Sequence, residues 1–101
     1  HLTCFHAQQA VEKTLKACIV HHEARAPKTH ALLELYERLV PYLPEIHNHR
    51  GGIETLDQYY IPTRYPDALP GSLPEGLPNK KDAEEAIGIA DQLLTLVREH
   101  V

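Results

Sequence analysis

"NKKDAEEAIGIADQLLTLVREH" occupies residues 79–100, and how it is read decides the fold. Ala83, Ala86, Ile87, Ala90, Leu93, Leu94 and Val97 recur at steps of three and four, the spacing that gathers side chains on one face of an α-helix. Asn79 is suited to cap that helix. Asp82, Glu84 and Glu85 load its first turns with acid and Arg98 lies near its far end, both in the sense the helix dipole favours. The small residues come first along the apolar face, so a second helix can approach closely there.

The same period runs through the start of the chain. Cys4, Phe5, Gln8, Val11, Leu15, Cys18, Ile19 and His22 share one face of a helix over residues 3–22, with Glu12, Lys13 and Lys16 expected on the solvent side. Pro27 interrupts, because the residue before a proline avoids the helical region. A second helix follows from residue 29 or 30 to 40, with Thr29 as N-cap and Leu32, Leu35, Tyr36 and Leu39 inward. "PYLP" at 41–44 stops it. Residues 45–52 carry a weak signal, and "HNHRGG" at 47–52 reads as a turn. A short helix over 53–60 puts Ile53, Leu56 and Tyr60 on one side. Beyond it Pro62, Pro66, Pro70, Pro74 and Pro78 exclude helix and interior strand, which leaves a long loop. No strand-like alternation occurs, and the expected fold is all-α, an up-and-down helical bundle forming one domain over residues 1–101.

Composition bounds the function. With 101 residues, 43% of them hydrophobic and 24% charged, the chain fits a single folded domain, small enough that a second subunit would help its stability. A formal net charge of -4 argues against a broadly basic nucleic-acid binder, although a local basic patch stays open. Cys4 and Cys18 lie about 21 Å apart along one helix and cannot bridge within it. They read as buried thiols of a reducing compartment. No run approaches a membrane span and no signal peptide is evident, so the expected location is cytoplasmic. The chain contains no methionine and turns helical within its first few residues, so the natural protein is expected to carry a further helix upstream.

Eight histidines invite a metal reading. His47 and His49 can meet in a turn, with His21 or His22 reaching toward them, but no HExxH or paired CxxC spacing is present. Neither metal nor cofactor is expected. Gly51 and Gly52 do not make a phosphate loop, and Ser72 has no neighbouring base. Two stretches rise above this background. "RAPKTH" at 25–30 offers Arg25 to a phosphate and His30 as a proton carrier, or else a solvated arginine and a first-turn histidine. "YYIPTRYPDALPG" at 59–71 holds Tyr59, Tyr60 and Tyr65 with Arg64 and Asp67. Tyrosine faces can stack on a base while arginine grips a phosphate, so these five residues are candidate ligand-binding positions. The same residue types suit a subunit interface, and plain packing of Tyr59 and Tyr60 on the bundle is the simplest alternative.

Four blocks carry a family resemblance: "CFHAQQAVEKTLKA" (4–17), "PKTHALLEL" (27–35), "LDQYYIPTRYPDA" (56–68) and "DAEEAIGIADQLLTLVRE" (82–99). In that order they resemble small prokaryotic HEPN-domain proteins, and the third block is the most specific. The resemblance implies a helical bundle with one more helix ahead of residue 1, usually a homodimer. It implies a nucleotide- or RNA-binding module, often paired with a minimal nucleotidyltransferase in a toxin–antitoxin-like couple. Some members are metal-independent ribonucleases that use an arginine, four to six residues, then a histidine, in a cleft shared by two subunits. Arg25 and His30 meet that spacing and are the catalytic candidates this implies, though Ala26 stands where those members carry a polar residue and their motif lies later in the bundle.

Overall fold

Helix α1 spans Leu2–Glu23, α2 Leu32–Leu39, α3 Arg50–Asp57 and α4 Lys80–His100, with a 3₁₀ helix Pro44–His49 running directly into α3. The computed structural model describes residues 2–60 and 78–101, and no strand occurs among them. The fold is the all-helical bundle expected from the periodicity.

Helices α1 and α4 form the spine. Each presents a row of small or aliphatic side chains, Cys4, Ala7, Val11, Leu15 and Ile19 from one and Ala83, Ala86, Ala90, Leu93 and Val97 from the other, and this is the most extensive helix contact among the described residues. The early alanines of α4 are buried in this contact, where their small side chains suit a close approach. The charge of Asp82, in the first turn of α4, is felt at Cys4 near the start of α1. His22 and His100, in the last turns of the two helices, lie 2.8 Å apart. The two helices therefore run parallel.

Residues 24–31 make this possible. Ala24 ends α1 in the left-handed region (φ 66°), its N–H donating to the Val20 carbonyl at 2.9 Å. The chain then runs back along α1 until His30 meets Glu12, and α2 climbs again so that Arg38 and Tyr42 both reach Glu23. The chain then descends through the 3₁₀ helix and α3, and Asp57 arrives beside the start of α2 while Tyr59 packs by Cys4.

Three local expectations change. Helix α2 begins at Leu32, not at 29 or 30, and Thr29 is not its cap: Thr29 Oγ1 accepts from Ala31 N–H at 3.0 Å in a turn, and the Leu32 N–H is satisfied from α3 by Asp57 Oδ1 at 2.8 Å. The stretch 47–52 is helical, not a turn, because Ile46 and Ile53 are buried at its two ends and draw it onto the core, and the helix expected over 53–60 instead runs Arg50–Asp57, so that Tyr59 and not Tyr60 joins Ile53 and Leu56 inside. Glu12 is buried, not on the solvent side, since the returning segment covers it. The cap of α4 is as expected, since Asn79 Oδ1 accepts from Asp82 N–H and Asp82 Oδ2 accepts from Asn79 N–H, both at 2.9 Å, a reciprocal capping box, but Ile87, expected on its buried face, is exposed. Among the described residues no helix is long and apolar enough to cross a membrane.

Candidate functional site

Gln8, Glu12 and Lys16 stand on successive turns of α1, and the first two are buried. A buried carboxylate is costly unless it is bonded, and Glu12 is bonded from three sides. His30 Nδ1–H donates to Glu12 Oε2 at 2.8 Å, Lys16 Nζ donates to the same oxygen at 3.1 Å, and Gln8 Nε2 approaches Oε1 at 3.4 Å. Gln8 also reaches the His30 carbonyl at 3.4 Å, so both ends of His30 are tied to α1. Burial pushes the Glu12 carboxyl up, but the donors His30, Lys16 and Gln8 outweigh it and hold the group below its ordinary value.

With Nδ1–H committed to Glu12, Nε2 is the ring nitrogen left facing solvent or ligand, on a side chain about half exposed. One face of the imidazole is covered by Tyr60, whose ring lies nearly parallel to it (11°) at a centroid distance of 4.9 Å. Tyr60 directly follows the 56–59 turn, where the Tyr59 N–H donates to the Leu56 carbonyl at 3.0 Å. That turn points Tyr59 inward and leaves Tyr60 half-buried at the surface.

The fold thus joins two stretches that sequence separates by about thirty residues. His30 comes from "RAPKTH" and Tyr60 from "YYIPTRYPDALPG", and their rings stack. Arg25 lies in the exposed connection and forms no ion pair among the described residues. Tyr59 belongs to the core: it is 6% exposed and hydrogen-bonded to Cys4, and burial, with Cys4 and Asp82 close by, pushes its hydroxyl up to about 12. Arg64, Tyr65 and Asp67 lie outside the described residues. Of the histidines once weighed for metal, His47 accepts from or donates to the Tyr36 hydroxyl at 3.0 Å, and His49 borders a surface hollow beside α4 with no other candidate site residue.

Glu12, Gln8 and Lys16 are the residues that sequence reasoning missed. A Gln–Glu–Lys ladder at steps of four, with Gln8 already inside the apolar stripe, was the available signal, since its inner member implies that the next turn is partly covered. The cluster can hold a ring stacked above a second ring, present an unbonded imidazole nitrogen, and keep a cation near an acid. It suits recognition of a planar, hydrogen-bonding ligand, and it also suits proton transfer through Nε2.

Over residues 1–100 the chain matches the family model described as the HEPN domain. No curated protein and no solved structure matches it. A match over nearly every residue, on an all-helical bundle of the kind that family forms, means that this chain belongs to the HEPN-domain family.

Proposed function

We propose that this HEPN domain is a nucleotide- or RNA-binding module, a homodimer acting beside a minimal nucleotidyltransferase in a toxin–antitoxin-like pair. The observation that carries the reading is the parallel stack of Tyr60 on His30, with His30 held from behind by buried Glu12. A ring pair fixed in this way costs a ligand little ordering entropy, and every base has a face to lay against it. Tyr59 anchors the platform in the core, while Arg64, Tyr65 and Asp67, next along the chain, supply the phosphate grip and further stacking surface. The test is a titration with ATP and with a short single-stranded RNA. Tyr60→Ala should weaken whichever ligand binds by about 1–3 kcal/mol, the cost of one lost stacking partner, with helicity and dimer intact. Loss of the dimer instead would make the stretch a subunit interface.

A second reading has an observation of its own. The Glu12–His30 bond at 2.8 Å orients an imidazole whose Nε2 can take a proton from a ribose hydroxyl, with Arg25 stabilising the phosphate as a metal-independent ribonuclease requires. If this is the activity, His30→Ala abolishes RNA cleavage in the presence of a chelator; unchanged cleavage removes the motif from the mechanism.

A further inference from the structure

The far end of the bundle holds a second cluster of chemistry-bearing side chains that the HEPN reading leaves unused. Cys18 and His22 stand one turn apart on α1, and His100 meets them from the last turn of α4. The Cys18 Sγ and one nitrogen from each imidazole all lie within 4.8 Å of one another. Cys18 is 1% exposed and its sulfur has no hydrogen-bond partner among the described residues, whereas both histidines are exposed. A buried sulfur below and two exposed imidazoles above it form a triad of soft and borderline donors.

We propose that Cys18, His22 and His100 bind a borderline-soft divalent transition cation of the zinc class, with a fourth position open to water. In a tetrahedral site with zinc–sulfur near 2.3 Å and zinc–nitrogen near 2.0 Å, ligand atoms stand about 3.3–3.6 Å apart. The two facing Nε2 atoms, now 2.8 Å apart, need to open by about half an ångström to meet this, and the widest pair to close by about one. Side-chain rotation covers both.

The surroundings favour a cation. The C-terminal end of α1 lies here, so its unpaired carbonyls set a negative field on the site. His22 is held in place by Tyr42, whose ring stacks on it at 4.4 Å and 6°, and Tyr42 is itself fixed by donating its hydroxyl to Glu23 at 2.8 Å. Such outer support orients a ligating imidazole. On binding, the Cys18 thiol releases its proton to solvent as the sulfur–metal bond forms. The Nε2 proton shared by the two histidines moves by way of solvent to the Nδ1 of its own ring, and each imidazole then donates a lone pair. A thiolate with two imidazoles selects zinc, cobalt or copper over magnesium and calcium, which take oxygen ligands. The metal would tie together the ends of α1 and α4, at the opposite end of α1 from Cys4 and Tyr59.

The experiment is titration of the reduced full chain with Co²⁺ as spectroscopic probe, followed by displacement with Zn²⁺. The expected result is saturation at one metal per chain, with a sulfur-to-cobalt charge-transfer band and intense tetrahedral visible bands that zinc abolishes. His100→Ala, at an exposed position, should keep its helicity and weaken binding at least tenfold. Cys18→Ser should lose the charge-transfer band, and zinc should raise the melting temperature of the wild type but not of His100→Ala. Cobalt bands without sulfur character in the wild type would overturn the proposal as binding by histidines alone, and so would equal affinity in His100→Ala.

Discussion

Glu12 shows what one side chain can conceal. On a helical wheel it falls beside the apolar stripe, and its charge argues for solvent, yet it is 6% exposed because residues 24–31 fold back over it. Local periodicity reports which face of a helix is apolar but not which flank another segment will cover, so Glu12 was illegible while Val11 and Leu15 beside it were plain. Its burial has a consequence that pH can read. The donors around Glu12 hold its carboxyl below the ordinary value of 4.5 in the folded state. A depressed carboxyl contributes stability that is present above the unfolded value and lost as pH falls through the folded one. Glu12→Gln is therefore expected to cost about 1.5–3 kcal/mol near neutral pH, the worth of hydrogen bonds to a charged group, and to lose less on acidification. Urea midpoints compared at pH 7 and pH 3 would check this. A gap between the two proteins that fails to narrow in acid would mean that Glu12 is not the charged centre of the network.

Among the elements, the bounds of α4 and α1 were legible almost to the residue, because each is long and periodic and α4 is capped by a pair that sequence spacing reveals, although His22 and Ile87, read as inward, are exposed. The start of α2 was not, since the group that satisfies its first N–H comes from Asp57, twenty-five residues away. The glycines of α3 misled for a related reason. Gly51 and Gly52 read as turn-formers, but both are helical, and a Cβ at Gly52 would lie 2.8 Å from Ile89 Cγ2 of α4. The close approach of α3 to α4 requires the missing side chain, whereas Gly51 faces open space. Adjacent substitutions should then have opposite signs. Gly51→Ala should stabilise by about 0.5–1 kcal/mol through helix propensity, while Gly52→Ala should destabilise by about 1 kcal/mol or more, because overpacking against a stiff β-branched side chain exceeds the same gain. Thermal melts of the two variants decide it, and equal shifts would show that α3 and α4 are not in that contact.

At the scale of the whole molecule, parallel α1 and α4 give the bundle two chemically distinct ends. Cys4, Tyr59 and the start of α4 lie together at one, and Cys18, His22 and His100 at the other, with the Glu12–His30–Tyr60 cluster on the flank where the returning segment crosses α1. Half of that flank was legible. His30 and Tyr60 each stood out, one for its spacing from Arg25 and the other for its place in the tyrosine-rich stretch, but their meeting depends on a chain reversal that residue spacing alone does not encode. The Cys18–His22 pair was hidden likewise, its third member being seventy-eight residues distant from His22. We propose that the stacked rings of His30 and Tyr60 are a platform for a base. Calorimetric titration with ATP and a short RNA, run on wild type, Tyr60→Phe and Tyr60→Ala with sizing of each, tests it most directly. Tyr60→Phe, which keeps the ring, should bind like the wild type, and Tyr60→Ala should bind about 5- to 150-fold more weakly with its oligomeric state unchanged. Equal binding by Tyr60→Ala, or no binding of either ligand by the wild type, would contradict it.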